Sequence, residues 1–248
     1  MGKLVAYGGF SASNYLQQPY NSDLDFGTGD FCIMGWVKEA ANTSTEVIFS
    51  RAYHTGSAWS GSYIQAYINS DGTITCRISD DGGSTKDTVT STATYDNNVW
   101  ALLNIIRRGS LLEMWVGDTL VGTTTVTNAS SSLSNANANL TLGVFQDNLS
   151  PLTNGSLALW RISATAPSPE QIKKIYEDEK VLFQENAQAT LYGSSDAVTA
   201  LAYDDTTELL HVGTSAGRSS FQGLRRVDNT TGAVGAAISA SNGLVAED

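Results

Sequence analysis

The sequence has little charge, few prolines and no long apolar run. Only 16% of its 248 residues are charged, and 14 basic against 25 acidic residues give a formal net charge of −11. A surface for nucleic-acid phosphates needs clustered Lys and Arg, so no nucleic-acid partner is predicted. No stretch approaches 18 apolar residues and no charged and apolar leader opens the chain, so we expect neither membrane insertion nor a signal peptide.

Cysteine and histidine are equally scarce. Cys32 and Cys76 show neither a metal-ligand spacing nor a disulfide framework. Cys32 lies in an apolar run that is typical of a buried free thiol, although a disulfide to Cys76 stays open. His54 and His211 are the two physiological bases, and His211 is interpreted as a packed or edge residue of a strand. Since the chain also has no Gly-x-Ser-x-Gly turn and no phosphate loop, no nucleophilic enzyme is predicted.

Short apolar segments separated by Gly, Asn and Asp dominate the first two thirds of the chain. Residues 31–37 (FCIMGWV) are apolar on both faces, which is typical of a strand covered on two sides. Many antiparallel strands at this spacing predict a mainly β protein, with a sandwich or jelly roll over residues 1–166. The predicted hairpins are 63–78 around Asp71-Gly72 and 111–126 around Gly117-Asp118, and the further strands are 100–106, 140–145 and 156–162.

One helix and a β-meander follow the sandwich. Ser168 as N-cap, Pro169 and Gln171 predict the start of a helix, and residues 167–186 are interpreted as a capping helix and linker. Residues 187–248 contain strand-like segments with too little apolar material for a core, and residues 233–248 are weakly specified. Because such a small sheet leaves unpaired edges and an apolar face, we expect a partner, further blades of a longer protein or homo-oligomerisation, a trimer first, to cover this extension.

Several motifs resemble the laminin-G/concanavalin A-like lectin/glucanase superfamily. In residues 15–38 (YLQQPYNSDLDFGTGDFCIMGWVK) an Asp- and Gly-rich turn leads into an aromatic-rich strand that ends in Trp. Residues 99–125 and the series 140–146, 155–163 and 168–177 are similar to the later motifs of that family. This resemblance spans about 165 residues in order and implies a concanavalin A-like jelly roll. Residues 198–228 look like one β-propeller blade, and the combination resembles marine bacteriophage tail and fibre proteins, which implies a virion or extracellular location.

The segment 51–63 (RAYHTGSAWSGSY) is the candidate ligand site. Sugars are held by aromatic faces together with polar groups that bind their hydroxyls. Tyr53, His54, Trp59 and Tyr63 are therefore predicted to bind a ligand, with Trp59 exposed at the rim because Gly and Ser offer little to pack against. Capping of the sandwich end or contact with a neighbouring chain are the alternatives for Trp59. The other four tryptophans are interpreted as core residues, namely Trp36, Trp100, Trp115 and Trp160.

Acidic residues in loops are candidate ligands of a hard cation. Calcium needs several converging oxygens, which Asp80, Asp81 and Asp147 are placed to offer from predicted loops. We expect that no cofactor is required and that a structural calcium ion is allowed.

Two pairs of carboxylates stand at alternate positions in the sequence. Glycoside hydrolysis on this fold needs an acid and a nucleophile on one face of a strand. The pairs Asp23/Asp25 and Glu177/Glu179 fall in a turn and on the helix, so a glycan-cleaving enzyme is the least favoured hypothesis. The sequence predicts a non-catalytic binding module of a virion tail, a fibre or another extracellular particle. Its rim loops would recognise a surface glycan or a host receptor. The remaining alternative is a purely structural or oligomerisation module of a phage fibre.

Overall fold

The computed structural model describes residues 6–183, 191–195, 197–223 and 225–248. The chain forms two compact units, residues 1–176 and 177–248. The first unit is an antiparallel β-sandwich of two six-stranded sheets followed by a helix, which confirms the predicted fold class. Within the described ranges, no helix is long and apolar enough to cross a membrane.

The two sheets of the sandwich have the strand orders β1-β12-β3-β8-β9-β10 and β2-β11-β4-β5-β6-β7. We call them the first and the second sheet. The strands of the first sheet are β1 (Tyr7–Gly8), β3 (Phe31–Glu39), β8 (Ala101–Arg108), β9 (Leu111–Val116), β10 (Thr119–Thr125) and β12 (Gly155–Ser163). Those of the second sheet are β2 (Leu16–Gln18), β4 (Glu46–Ala52), β5 (Tyr63–Ile68), β6 (Thr73–Ser79), β7 (Asp87–Thr94) and β11 (Asn139–Leu142).

Strand β3 is apolar on both faces because both of its faces are covered. Phe31, Ile33 and Val37 join the core between the sheets. Cys32 and Met34 belong to a second cluster on the other face, together with residues of β8 and of the helix. Cys32 is free and buried, as its apolar run predicts, and Cys76 is also free and buried, so the alternative of a disulfide between them is not observed.

Helix α1 (Pro169–Glu179) begins where the sequence predicts. The Ser168 hydroxyl accepts a hydrogen bond from the Gln171 amide at 3.3 Å, and the Gln171 side chain accepts one from the Ser168 amide at 2.7 Å. This reciprocal pair satisfies two backbone donors at the helix start. Ile172 is the buried anchor of the helix. A short 3-10 helix, Lys180–Phe183, follows, and the rest of the predicted linker up to residue 186 lies outside the described residues.

Two long strands of the second sheet were not predicted. In β4 the charged residues Glu46 and Arg51 interrupt the apolar pattern, yet both are buried. In β7 only Val89 and Ser91 are buried, so the sequence of most of this strand resembles that of a polar loop. Trp100 also lies just before β8 and is partly buried, rather than inside a strand as expected. These differences arise because tertiary partners, rather than local sequence pattern, decide which polar residues a sheet can hold.

The second unit contains a four-stranded antiparallel sheet and a two-stranded ribbon. Buried His211 lies 2.8 Å from the Ser220 hydroxyl, so its interpretation as a packed strand residue is confirmed. The ribbon lies in the segment that the sequence specified weakly, and β17 packs against β13. The strands of this unit are β13 (Val198–Asp204), β14 (Leu209–Thr214), β15 (Gly217–Gln222), β16 (Arg225–Asn229), β17 (Ile238–Ser241) and β18 (Leu244–Glu247).

Candidate binding site

The outer face of the second sheet is built by alternate residues of its central strands. On β5, Tyr63, Gln65 and Tyr67 point away from the core, since the residues between them belong to the core cluster. Arg77 on β6 pairs in register with Gln65 and therefore shares this outer face. The strand alternation thus places two phenol rings, an amide and a guanidinium on the same surface.

Aromatic side chains from two loops cover this surface. His54 and Trp59 form an isolated β-bridge, and their rings lie 4.7 Å apart between centroids in an edge-to-face arrangement. The Trp59 ring also lies 5.4 Å from Phe145 and 6.1 Å from Tyr63, and Phe145 lies 6.3 Å from Tyr67. We call His54, Trp59, Tyr63, Tyr67 and Phe145, together with Arg77, the aromatic face.

The structure brings together three of the four predicted ligand-binding residues, His54, Trp59 and Tyr63. Trp59 and Tyr63 are less exposed than a rim site requires. Trp59 is partly buried rather than freely exposed, because Phe145 comes from a loop distant in sequence and packs against it. Tyr63 is buried, and burial raises the pKa of its phenol. Tyr53 is partly buried, and its carbonyl accepts a hydrogen bond from the Ser60 amide at 2.9 Å. The rings that reach the surface are thus His54, Trp59, Tyr67 and Phe145.

Polar side chains lie beside and beneath the rings of the aromatic face. The Arg77 guanidinium lies over the rings of Tyr67 and Tyr63, at 5.1 and 5.5 Å, and its Nε donates to Gln65 Oε1 at 2.9 Å. Among the described residues, Gln65 Nε2 and the Ser50 hydroxyl are buried without a hydrogen-bond partner. Leaving a buried polar group unpaired costs about 1–3 kcal/mol. Both groups are closed to solvent, so they lie beneath the rings and do not meet a ligand at the surface.

The loop that carries Phe145 is tied to the loop that carries His54. The Gln146 side chain accepts a hydrogen bond from the His54 amide. The Asp147 carboxylate lies 3.7 Å from His54 Nδ1 and accepts a hydrogen bond from the Leu149 amide at 3.2 Å. Asp147, predicted as a metal ligand, therefore lies beside a predicted ligand-binding residue and holds its own loop.

The other two predicted metal ligands, Asp80 and Asp81, accept hydrogen bonds from loop residues. Asp81 accepts hydrogen bonds from the Thr85 amide at 2.9 Å and from neighbouring donors, and these bonds lower its pKa to about 2. Asp80 accepts a hydrogen bond from the Asn128 side chain at 3.2 Å. Across the part of the chain that the structure describes, no three His, Cys, Asp or Glu side chains gather as a metal site would require. Asp80, Asp81 and Asp147 are not brought together, and calcium binding stays a prediction.

The carboxylates near the second sheet are buried or paired. Its six strands contain two acidic residues, Glu46 and Asp87. Glu46 is buried beside Glu39, whose pKa is raised to about 8 by burial and by the neighbouring charges of Glu46 and Asp96. Asp87 accepts hydrogen bonds from Thr127. A carboxyl pair closed to solvent cannot meet a glycan, so the strands of this face offer no exposed acid and nucleophile.

Comparison with known proteins agrees with the fold. Residues 10–173 match the sequence profile of the Laminin G type described as the concanavalin A-like lectin/glucanases superfamily. The CBM40 module of Ruminococcus gnavus IT-sialidase, solved with α2,3-sialyllactose, is similar in structure, with a TM-score of 0.55 and 14% identity over 71% of this chain and 99% of that module. No curated protein sequence matches the chain.

A second group of similar structures consists of toxin binding domains. The binding domain of botulinum neurotoxin serotype D has a TM-score of 0.55 and 14% identity over 86% of this chain and 51% of that domain. The binding domain of Paraclostridial Mosquitocidal Protein 1 has a TM-score of 0.55 and 13% identity, over 92% of this chain and 60% of that one. At these identities the likeness is one of fold.

Proposed function

The chain belongs to the concanavalin A-like lectin/glucanases superfamily, and on this premise we propose that it is a non-catalytic module that binds a surface glycan through the aromatic face. The observation that carries the proposal is the grouping of surface-reaching rings with the Arg77 guanidinium on one sheet face. Rings of this kind stack on the C–H faces of sugars. Arg77 adds a partner for a carboxylate or sulfate of an acidic glycan.

The absence of an exposed carboxylate pair in the second sheet supports binding without cleavage. A retaining glycosidase needs two carboxyl groups about 5 Å apart that both reach the substrate. Of the alternate pairs in the sequence, Asp25 is engaged by buried Arg51, while Glu177 lies 2.6 Å from Lys180. One carboxylate of each pair therefore has a structural partner, and no residue of either pair belongs to the aromatic face.

Trp59→Ala is expected to lower glycan affinity at least tenfold, since it removes the central ring of the aromatic face. The measurement is binding of the purified chain to a printed array of neutral, sialylated and sulfated glycans, followed by titration of each glycan that gives a signal. Tyr7→Ala is the matched control, because Tyr7 is an exposed aromatic residue on β1 of the other sheet. Equal binding by the Trp59 variant and the wild type, or no array signal from the wild type, would refute the proposal.

We propose further that the module is displayed on an extracellular particle, such as a virion tail or fibre, as a homo-oligomer. The second unit supports this part of the proposal. Its strand β13 exposes Val198, Leu201 and Tyr203, and exposed apolar side chains on a small sheet favour a covering partner. The same observation favours the second candidate function, a structural module that assembles a fibre and binds no external ligand.

Sedimentation equilibrium of the full chain is expected to give three times the chain mass of 26.3 kDa. Leu201→Glu, which puts a charge on the exposed face of β13, should shift the mass toward a single chain. Leu182→Glu serves as the control at an exposed apolar position outside the sheet. A wild-type mass of one chain at all concentrations would contradict the oligomer. An oligomer without any array signal would support the structural function instead.

A further inference from the structure

A groove on the first sheet lies at the end where β8 begins and where β9 turns into β10. It has a volume of about 390 Å³, and its walls include Tyr95, Asn97, Trp100, Asp118, Thr119 and Tyr176. The groove shares no residue with the aromatic face. Its size falls in the range of about 300–1,000 Å³ that is typical of small-ligand sites.

The aromatic walls of the groove are held in place by neighbouring side chains. The Tyr176 ring stacks on Trp36 with centroids 6.0 Å apart and an interplanar angle of 21°. It also lies against Gly117, where a Cβ atom would come within 3.4 Å of the ring and where φ is +63°, a conformation that favours glycine. Lys38 Nζ lies 5.7 Å from the centroid of Trp100. Rings that are fixed before binding lose little freedom when a ligand stacks on them.

The rim of the groove carries groups that bind hydroxyls. Asp118 and Thr119 lie exposed at the hairpin turn, and Asn97 is exposed on the loop before β8. Asn97 Oδ1 accepts a hydrogen bond from the Val99 amide at 3.1 Å, which orients the side chain and leaves its amino group as a donor. Donors and acceptors beside aromatic walls match a sugar ring, which is apolar on its faces and polar at its edge.

We propose that this groove is a second glycan site and that it takes one or two pyranose rings of a neutral glycan. We expect a neutral ligand because the charged side chain that lines this groove is the Asp118 carboxylate, which disfavours an anionic ligand. The inference extends the proposed function, since two sites on one chain bind a surface glycan with higher avidity than either alone. The two sites differ in charge, because the aromatic face carries Arg77.

The test is fluorine NMR of the full chain labelled with 5-fluorotryptophan, whose five indole signals are assigned by single Trp→Phe variants. The probes are the methyl glycosides of glucose, galactose, mannose and N-acetylglucosamine and their β-linked disaccharides. At least one probe should shift the Trp100 signal saturably. The Trp59 signal reports separately on the aromatic face, so the failure of one site is distinguishable from the failure of the other.

Asp118→Ala should weaken the Trp100 titration about tenfold, since it removes a charge-assisted acceptor at the rim. This variant changes an exposed turn residue and leaves the core intact. Leu120→Ala is the matched control, because exposed Leu120 lies two residues further along, on β10, and does not line the groove. The inference is overturned if no probe shifts the Trp100 signal, or if the shift is unchanged in Asp118→Ala. Persistence of the shift in Trp59→Ala would support two independent sites.

Discussion

Asp25→Ala is expected to lower the free energy of unfolding by about 3–5 kcal/mol, the range found when one partner of a buried ion pair is removed. Arg51 is 1% exposed, and its guanidinium donates to Asp25 and to the Leu133 carbonyl. The Asp25 carboxylate also accepts hydrogen bonds from the Asn135 amide at 3.0 Å and the Tyr20 hydroxyl at 2.9 Å. Removal of the Asp25 carboxylate leaves the buried Arg51 cation without a counter-charge. It also removes the hydrogen bonds that link this turn to Asn135 and Tyr20.

Urea denaturation of the variant measures this loss directly. Asp23→Ala is the control, since Asp23 is exposed two residues away in the same acidic turn and should change the stability by less than about 0.5 kcal/mol. The double variant Asp25→Ala, Arg51→Met should recover part of the loss, because a neutral side chain no longer needs a partner. Equal stability of the Asp23 and Asp25 variants would show that the buried pair does not hold this end of the sandwich.

Glu39→Gln is expected to raise the free energy of unfolding at pH 8.5 by on the order of 3 kcal/mol. Glu39 is fully buried, and its carboxyl group lies beside that of Glu46. Burial, with Glu46 and Asp96 nearby, raises its pKa from 4.5 to about 8. One pKa unit corresponds to about 1.4 kcal/mol, so this interval allows at most about 5 kcal/mol. A neutral glutamine avoids the cost of burying the charge.

The sign of the pH dependence follows from proton linkage. The folded chain holds the Glu39 proton more tightly than the unfolded chain, so its stabilising contribution is complete below about pH 4.5. That contribution is lost as the pH rises through the folded pKa of about 8. Asp81, whose pKa is lowered to about 2, changes its protonation state below this pH window. Cys32 and Cys76, whose pKa values are raised to about 12, change theirs above it.

The difference in stability between wild type and Glu39→Gln isolates this one group. It should be small at pH 4.5 and should grow steadily up to pH 8.5, as measured by urea denaturation at each pH. Glu113→Gln provides the contrast, because Glu113 is also buried but is paired with Arg108 at 3.1 Å and with the Trp115 indole at 2.9 Å. That variant should be less stable than wild type at pH 8.5. A difference for Glu39→Gln that does not change with pH would contradict the buried neutral carboxyl.

Most of the sandwich could be predicted because its signals are local. Hairpins form around Asp71-Gly72 and Gly117-Asp118, as the turn residues indicate. The doubly apolar strand β3 and the capping pair Ser168 and Gln171 also lie where the pattern places them. Strand β4 was missed because Arg51 and Glu46 look like surface residues in sequence. Each is buried only because a partner from elsewhere in the chain meets it.

The candidate site was only partly predictable, because its geometry depends on contacts between distant segments. The segment around Trp59 was recognised from its aromatic residues in a polar loop. The prediction that Trp59 is freely exposed is wrong, because Phe145, which lies 86 positions later in the sequence, packs against it. Tyr67 and Arg77 could have been found from the strand alternation, which places both on the outer face with Tyr63. Trp100 is predicted from sequence to be a core residue, and no local sequence pattern indicates that it lines a groove.

The most direct test of the account is a crystal structure of the chain with a glycan that binds on the array. We expect an intact glycan on the outer face of the second sheet, with a sugar ring against Trp59 or Tyr67 and a polar group of the glycan within hydrogen-bond distance of Arg77. A cleaved glycan, or a glycan bound elsewhere with this face empty, would contradict it.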